Sequence, residues 1–285
     1  MWINDWIPTL EKWKRGYELR VGDIIFDGKG NPAPINELVS GEEIIKRINI
    51  SDKTYIDCHD NELIKIGRRF SYLRYRDKYS HIDLADYDNF TINDVGGYPK
   101  FFIPNGVISI YPNQFLDIEP YIMGCLIGHA QKRWKDNDLL LTIDIDGSIP
   151  ENYRTAPLRD RKDLLAGMLD TNGIFNLDRH TNSFGTDNPI LAIHIHELIC
   201  SLGGTCVRSE ERGAGKKYFL YFCLTFNPFK QKLREYDKWY YDKQKDYKSL
   251  DSIVELEKLE TIIPIVRGGE YLQGRWYISK KYEKN

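Results

Sequence analysis

Two apolar stretches set the tightest limit on what this chain can fold into. Residues 117–130 read DIEPYIMGCLIGHA, and residues 149–175 read IPENYRTAPLRDRKDLLAGMLDTNGIF. In the first, Tyr121, Met123, Leu126 and Ile127 recur at helical spacing behind Asp117 and Pro120. In the second, Leu164, Leu165, Met168 and Leu169 do so across residues 160–170, with Gly173 close behind. Each stretch carries a glycine at mid-helix, Gly124 and Gly167. Such a glycine costs about 1 kcal/mol against alanine, a loss that close packing can offset. The spacing therefore predicts two helices, each with a small residue where another backbone could approach, Gly124 and Gly167, and with Ile127, Leu165, Met168 and Leu169 along the flanks.

The remainder reads mostly as strand. Residues 21–35 (VGDIIFDGKGNPAPI) give a strand, a DGKGNP turn and a second strand. Residues 42–67 alternate apolar and polar side chains around a turn at 51–53. Residues 101–112 (FFIPNGVISIYP) predict a strand pair about Asn105-Gly106. A strand is expected over 138–145, a helix over 189–202 stopped by Gly203-Gly204, and a hairpin from 205–208 and 217–226. Residues 253–265 and 275–279 read as closing strands, and 230–248 as a charged, aromatic helix or linker. The predicted fold class is α+β, and no repeat of solenoid length is present.

Several of these segments resemble one family in the order that family uses them. The two helical stretches resemble the signature helices of LAGLIDADG homing endonucleases of the kind embedded in inteins. Residues 19–32 (LRVGDIIFDGKGNP) and 54–66 (TYIDCHDNELIKI) resemble the Hint domain of inteins. Residues 184–206 and 218–230 are similar to the helix and the strand-plus-NPF turn that follow the second signature helix. The segments resemble those of phage terminase and helicase inteins. The resemblance implies a β-rich Hint-like module over 1–116, closed by 249–285. It implies a truncated LAGLIDADG-like αβ module inserted at 117–248. It also implies a setting in a bacterial host cytoplasm or a phage particle.

The departures from the family matter as much. Each signature helix ends in a metal-binding carboxylate in the family, and the matching positions here are His129 and Asn172. Mg²⁺ prefers carboxylate oxygens, so a neutral amide and an imidazole replace them poorly. Asp170 is structural by the same resemblance, a bonding group at the helix interface. Splicing needs a nucleophile at the first residue, and the chain begins Met1-Trp2-Ile3. The activating Thr-x-x-His block is matched by Cys58, His59, Asp60 and Asn61. Only about 18 residues separate the two halves, room for one hairpin at most, so the first half would lack most of a DNA-reading sheet.

Charge bounds the partners. Lys and Arg number 40 against 42 acids, so any basic surface must be local. Candidate DNA contacts are Lys132, Arg133 and Lys135, then Arg212, Lys216 and Lys217. Tyr236, Trp239 and Tyr240, in the Lys-rich run after Lys230, are candidate protein contacts. Asp144 and Asp146 read as a turn-flanking pair, with a compensating metal site as the alternative, and His194 and His196 as surface or interface residues on a helix, where i and i+2 face apart. The five cysteines are odd in number with no Cys-x-x-Cys, which argues against a disulfide framework and a zinc site. No apolar run is long enough to span a bilayer, and no cleavable signal opens the chain.

The resulting expectation is a catalytically inactive descendant of an intein endonuclease with no cofactor. It would be retained to bind protein or take part in a virion, and double-stranded DNA is a second candidate partner. The alternative is an active Mg²⁺-dependent endonuclease.

Overall fold

The computed structural model describes residues 2–50, 55–59, 62–68, 87–91, 101–104, 107–130, 148–176, 181–212, 216–231, 247–273 and 277–281. The chain divides into two compact units. Unit 1 holds Met1–Thr9, Trp13–Asn105 and Asp246–Asn285; unit 2 holds Leu10–Lys12 and Gly106–Lys245. Strands dominate and helices are few, an α+β architecture. Among the described residues no helix is long and apolar enough to cross a membrane.

Unit 1 supplies β1 (Trp6–Pro8), β2 (Trp13–Arg15), β3 (Ile24–Phe26), β4 (Pro32–Ile50), β5 (Tyr55–His59), β6 (Glu62–Arg68), β7 (Tyr87–Thr91) and β8 (Phe101–Pro104). Unit 2 follows with α1 (Pro120–Ala130), α2 (Glu151–Arg154), α3 (Leu158–Asn172), β9 (Gly173–Asn176), β10 (Thr181–Thr186), α4 (Pro189–Ser201), β11 (Thr205–Arg212) and β12 (Lys216–Cys223). Unit 1 resumes with β13 (Tyr247–Val266), β14 (Glu270–Gln273) and β15 (Tyr277–Lys281).

The spine of unit 1 is a ribbon of β4 and β13, antiparallel from Leu250↔Ile50 to Val266↔Ile35 and broken by bulges. It lies in a sheet of order β14-β15-β6-β8-β13-β4-β3, with β5 on β4 and β7 on β6. The turn from β3 to β4 forms as its residues dictate. The Asp27 carboxylate accepts from the Lys29 and Asn31 amides at 2.8 and 2.9 Å, and Gly30 takes φ 84°. Two apolar clusters fill the unit. One joins Ile48, Ile50, Ile56, Cys58, Ile64 and Leu250; the other includes Ile7, Leu19, Ile25, Ile35, Ile262 and Tyr271.

Unit 2 packs α1, α3 and α4 against one face of a sheet ordered β11-β12-β10-β9, around a single apolar cluster. The start of α1 differs slightly from expectation. Pro120 is its first residue, and Glu119 rather than Asp117 caps it, accepting from the Ile122 amide at 3.0 Å. Asn188 caps α4 by accepting from Ile190 and Leu191 amides at 2.8 and 3.2 Å, and Gly203 at φ 78° ends it.

One expectation fails. The second strand of the predicted pair about Asn105-Gly106 does not form: residues 107–116 hold no strand. Their backbone bonds go elsewhere. The Ser109 amide donates to Ser201 O at 3.3 Å, and Ser109 O accepts from Arg161. A turn dipeptide signals a hairpin only when both flanks find a ladder, and here α3 and α4 offer the better partners.

Candidate functional site

The helix pair α1–α3 is the centre of unit 2. A Cβ on Gly124 would fall on the Leu164 carbonyl, and one on Gly167 would fall on the Tyr121 carbonyl and lie 2.8 Å from Cys125 N. Gly128 meets the Thr171 hydroxyl in the same way. The two backbones therefore touch along three glycines. Ile127, Leu164, Leu165, Met168 and Leu169 are all buried beside them. Thr171 turns its hydroxyl back on the carbonyls of Gly167 and Met168 at 3.0 and 2.9 Å, which satisfies it within its own helix.

Asp170 sits at this interface as a bonding group. Its Oδ2 accepts from the Tyr121 hydroxyl at 2.9 Å and from the Lys230 and Gln231 amides at 3.2 and 2.9 Å. Lys230 Nζ pairs with Asp163 at 2.8 Å and lies 5.0 Å from the Tyr121 ring centroid. Burial, with Asp170 as acceptor, pushes the Tyr121 hydroxyl well above its ordinary value. These bonds fasten the segment after β12 to both helices.

His129 and Asn172 occupy the matching ends of α1 and α3, both half-buried. Asn172 Nδ2 donates to Gly185 O of β10 at 3.2 Å. An amide can donate there, but an ionised carboxylate offers acceptors alone and would oppose the carbonyl. The local structure thus uses what is specific to the amide. Among the described residues no group of three or more His, Cys, Asp or Glu is placed to hold a metal ion.

The sheet face away from the helices carries Ile174, Ser183, Phe219 and Tyr221. Phe219 and Tyr221 stack at 6.4 Å between centroids, and Ile174 is 67% exposed. Lys217 is exposed at one end of this sheet, and Arg212 and Lys216 face each other in its register. Lys132, Arg133, Lys135, Asp144, Asp146, Tyr236, Trp239 and Tyr240 lie outside the described residues.

Unit 2 also holds charges that the sequence did not announce. Arg161 is fully buried. It donates to Ala156 O and Ser201 O, each at 2.8 Å, to Ser201 Oγ at 2.5 Å and to Ser109 O at 2.5 Å, and its guanidinium lies 4.9 Å from the Tyr111 ring centroid. Its main acceptors are carbonyls, one at the end of α4 where the helix dipole is negative. Burial lowers its pKa to about 10, still charged at neutral pH. Arg154 bridges Glu197, at 2.7 Å, and Glu151. Burial raises Glu197 to about 7 despite that partner. His196, expected at a surface or interface, is instead buried, 3.7 Å from Cys200 Sγ one turn on. Helical spacing alone could not decide which side of α4 faced the core, because apolar residues nearly surround it. His194 accepts from the Ile149 amide at 3.2 Å.

Unit 1 gathers a second polar cluster. Arg47 grips Asp57 through two 2.7 Å bonds. Gln273 donates to Asp57 O at 2.9 Å and to Asp5 Oδ2 at 3.4 Å, and the Tyr271 hydroxyl donates to Glu62 at 3.1 Å. Burial, then the nearby Asp57 charge, raises Asp5 to about 7. Cys58 lies beside these acids, and burial pushes its thiol well up, so it is held in the unreactive protonated form.

No family model matches the chain. A stretch of 113 residues is 34% identical to the replicative DNA helicase DnaB of Mycobacterium intracellulare, covering 38% of this chain and 18% of that protein. The chain thus spans less than a fifth of that relative. The crystal structure of the MchDnaB-1 intein aligns at 18% identity over 23% of this chain and 51% of that one, with a TM-score of 0.22. An overlap that shallow carries no weight for the fold.

Proposed function

We propose that the chain is an intein-derived protein whose inserted LAGLIDADG-like module has lost its nuclease chemistry and which now serves by binding protein, a virion-type structural role included. Unit 1 corresponds in this reading to the Hint-like module and unit 2 to the endonuclease-derived one. One observation carries it: the ends of α1 and α3 present His129 and an Asn172 whose amide is already engaged by Gly185 O. Neither replaces a carboxylate pair that shares Mg²⁺. The ordered resemblance of the sequence segments and the partial match to DnaB support the intein ancestry. The open sheet face, aromatic and hydroxyl-bearing with Lys217 at its end, suits a protein contact better than a phosphate backbone.

Incubation of the purified chain with plasmid DNA and Mg²⁺ or Mn²⁺ tests this. No specific double-strand cleavage is expected, and DNA binding should stay weak, with Kd of order 10⁻⁴–10⁻⁶ M at physiological salt. Specific cleavage abolished by Asn172→Ala would overturn the reading and establish an active endonuclease. That second reading draws on the intact glycine contact of α1 and α3. If the helix pair is a sound but emptied scaffold, His129→Asp with Asn172→Asp should gain Mn²⁺ binding by calorimetry.

A further inference from the structure

β4 has an unguarded stretch. The Gly22 amide donates to Ile35 O at 2.9 Å and the Ile35 amide to Asp23 O at 2.8 Å. β3 pairs with β4 below that point, and β5 begins to pair at Ile45. Between them, over residues 36–44, the edge of β4 away from β13 has no strand partner among the described residues. Upstream of Gly22 the chain leaves that edge and stands over the ribbon face, opening a hollow of about 720 Å³. Its floor is Leu38 and Ser40 beside Ile262, and its wall includes Tyr17 and Val21, which are 54% and 62% exposed. Open backbone edge and apolar hollow adjoin within unit 1.

The charges around this place select its occupant. Glu18, Glu37, Glu42, Glu43 and Glu260 are all exposed around it. Glu42 pairs with Lys258 at 3.0 Å, and Arg20 spends its guanidinium on the carbonyls of Tyr17 and Leu19 at 3.0 and 2.8 Å. A second copy laid edge to edge would set Glu37, Glu42 and Glu43 against their own kind, which such edges use to refuse self-pairing. A strand bearing Lys or Arg meets no such cost.

We propose that the β4 edge over residues 36–44 takes up an extended basic segment of a partner protein as an added strand, its alternate apolar side chains entering the hollow walled by Tyr17 and Val21. Backbone hydrogen bonds would give the affinity, and the hollow and the glutamates the selectivity. The site is independent of the chemistry of α1 and α3.

The test uses the full chain and synthetic peptides of about ten residues that alternate Lys and Val, alternate Glu and Val, or repeat Lys–Val with alternate amides methylated. Hydrogen exchange read by mass spectrometry should show new protection over residues 37–43 with the Lys–Val peptide alone. Glu42→Lys with Glu260→Lys changes exposed side chains only; it should weaken the Lys–Val peptide about tenfold and admit the Glu–Val one. No protection, protection elsewhere in the chain, equal protection by the Glu–Val peptide, or indifference to methylation would each overturn the proposal.

Discussion

The two units bury charge in opposite senses. Among the described residues, unit 2 has a single apolar cluster and a fully buried cation, Arg161, held by carbonyls. Unit 1 splits its apolar residues into two smaller clusters and keeps acids inside, Asp57 and Glu62 buried and Asp5 half-buried nearby. A cation can be satisfied by backbone oxygens wherever a helix ends, and Arg161 finds them 5, 40 and 52 residues away. A buried carboxylate needs donors: Asp57 takes Arg47, 10 residues away, while Glu62 takes Tyr271 across 209 residues, and Gln273 donates to the Asp57 backbone carbonyl across 216. The longest of these bonds in unit 1 thus reach farther along the chain than those of Arg161 in unit 2.

The sharpest way to break this contrast is Arg161→Met, which keeps volume but strips the donors from Ala156, Ser201 and Ser109. About 4 kcal/mol should be lost, confined to unit 2 when hydrogen exchange is followed against urea. Equal loss of protection in unit 1 would show one cooperative body. Gly167→Leu comes next. The Leu side chain meets the Tyr121 carbonyl, and moving backbone apart costs about 3 kcal/mol. An unchanged melting temperature would show that α1 and α3 separate freely.

Titration sharpens the comparison further. Asp5 has its folded pKa raised from 3.8 to about 7, so the folded state binds the extra proton. Its contribution is therefore present in acid and lost as pH rises between about 4 and 7, roughly 2 kcal/mol once partial exposure is allowed for. Glu197 acts with the same sign in unit 2. Asp5→Asn should flatten the pH profile of unit 1 and leave that of unit 2 intact, read by urea midpoints at pH 5 and pH 7.5. A profile unchanged in unit 1 would remove Asp5 from the account. The smallest effect is Asp27→Ala, which frees the Lys29 and Asn31 amides to water and should cost about 1 kcal/mol.

What could be read from sequence follows the same division. Local signals were legible: the glycines of α1 and α3, the Asp27 turn, the Gly203 stop of α4. Asp170 was legible as an interface group only through the resemblance of its helix to a signature helix. Arg161 was not, since a charged residue in the first turns of a helix ordinarily faces water and nothing in its neighbours names carbonyls 40 and 52 residues away. Residues 107–112 misled for a related reason: strand propensity states what a segment could do, and Ser109 found better partners in α3 and α4. The engagement of Asn172 with Gly185 also depended on a neighbour strand, invisible in the helix that carries it.

The pairing of β13 with β4 has a kinetic side. Ile50 meets Leu250 in that register, and Pro104 of β8 meets Tyr247 where the chain returns. Every residue of unit 2 must be synthesised before either contact can form, at about 5–20 residues per second. During those seconds β4 has both edges bare over its middle. Contacts within unit 2 are close in sequence and form early; once made, they shorten the effective loop that β13 must close. The ribbon therefore locks only after unit 2 has been made, and destabilising unit 2 should slow its assembly as well as lower its stability. It also leaves the nascent chain longest exposed to strand exchange along β4.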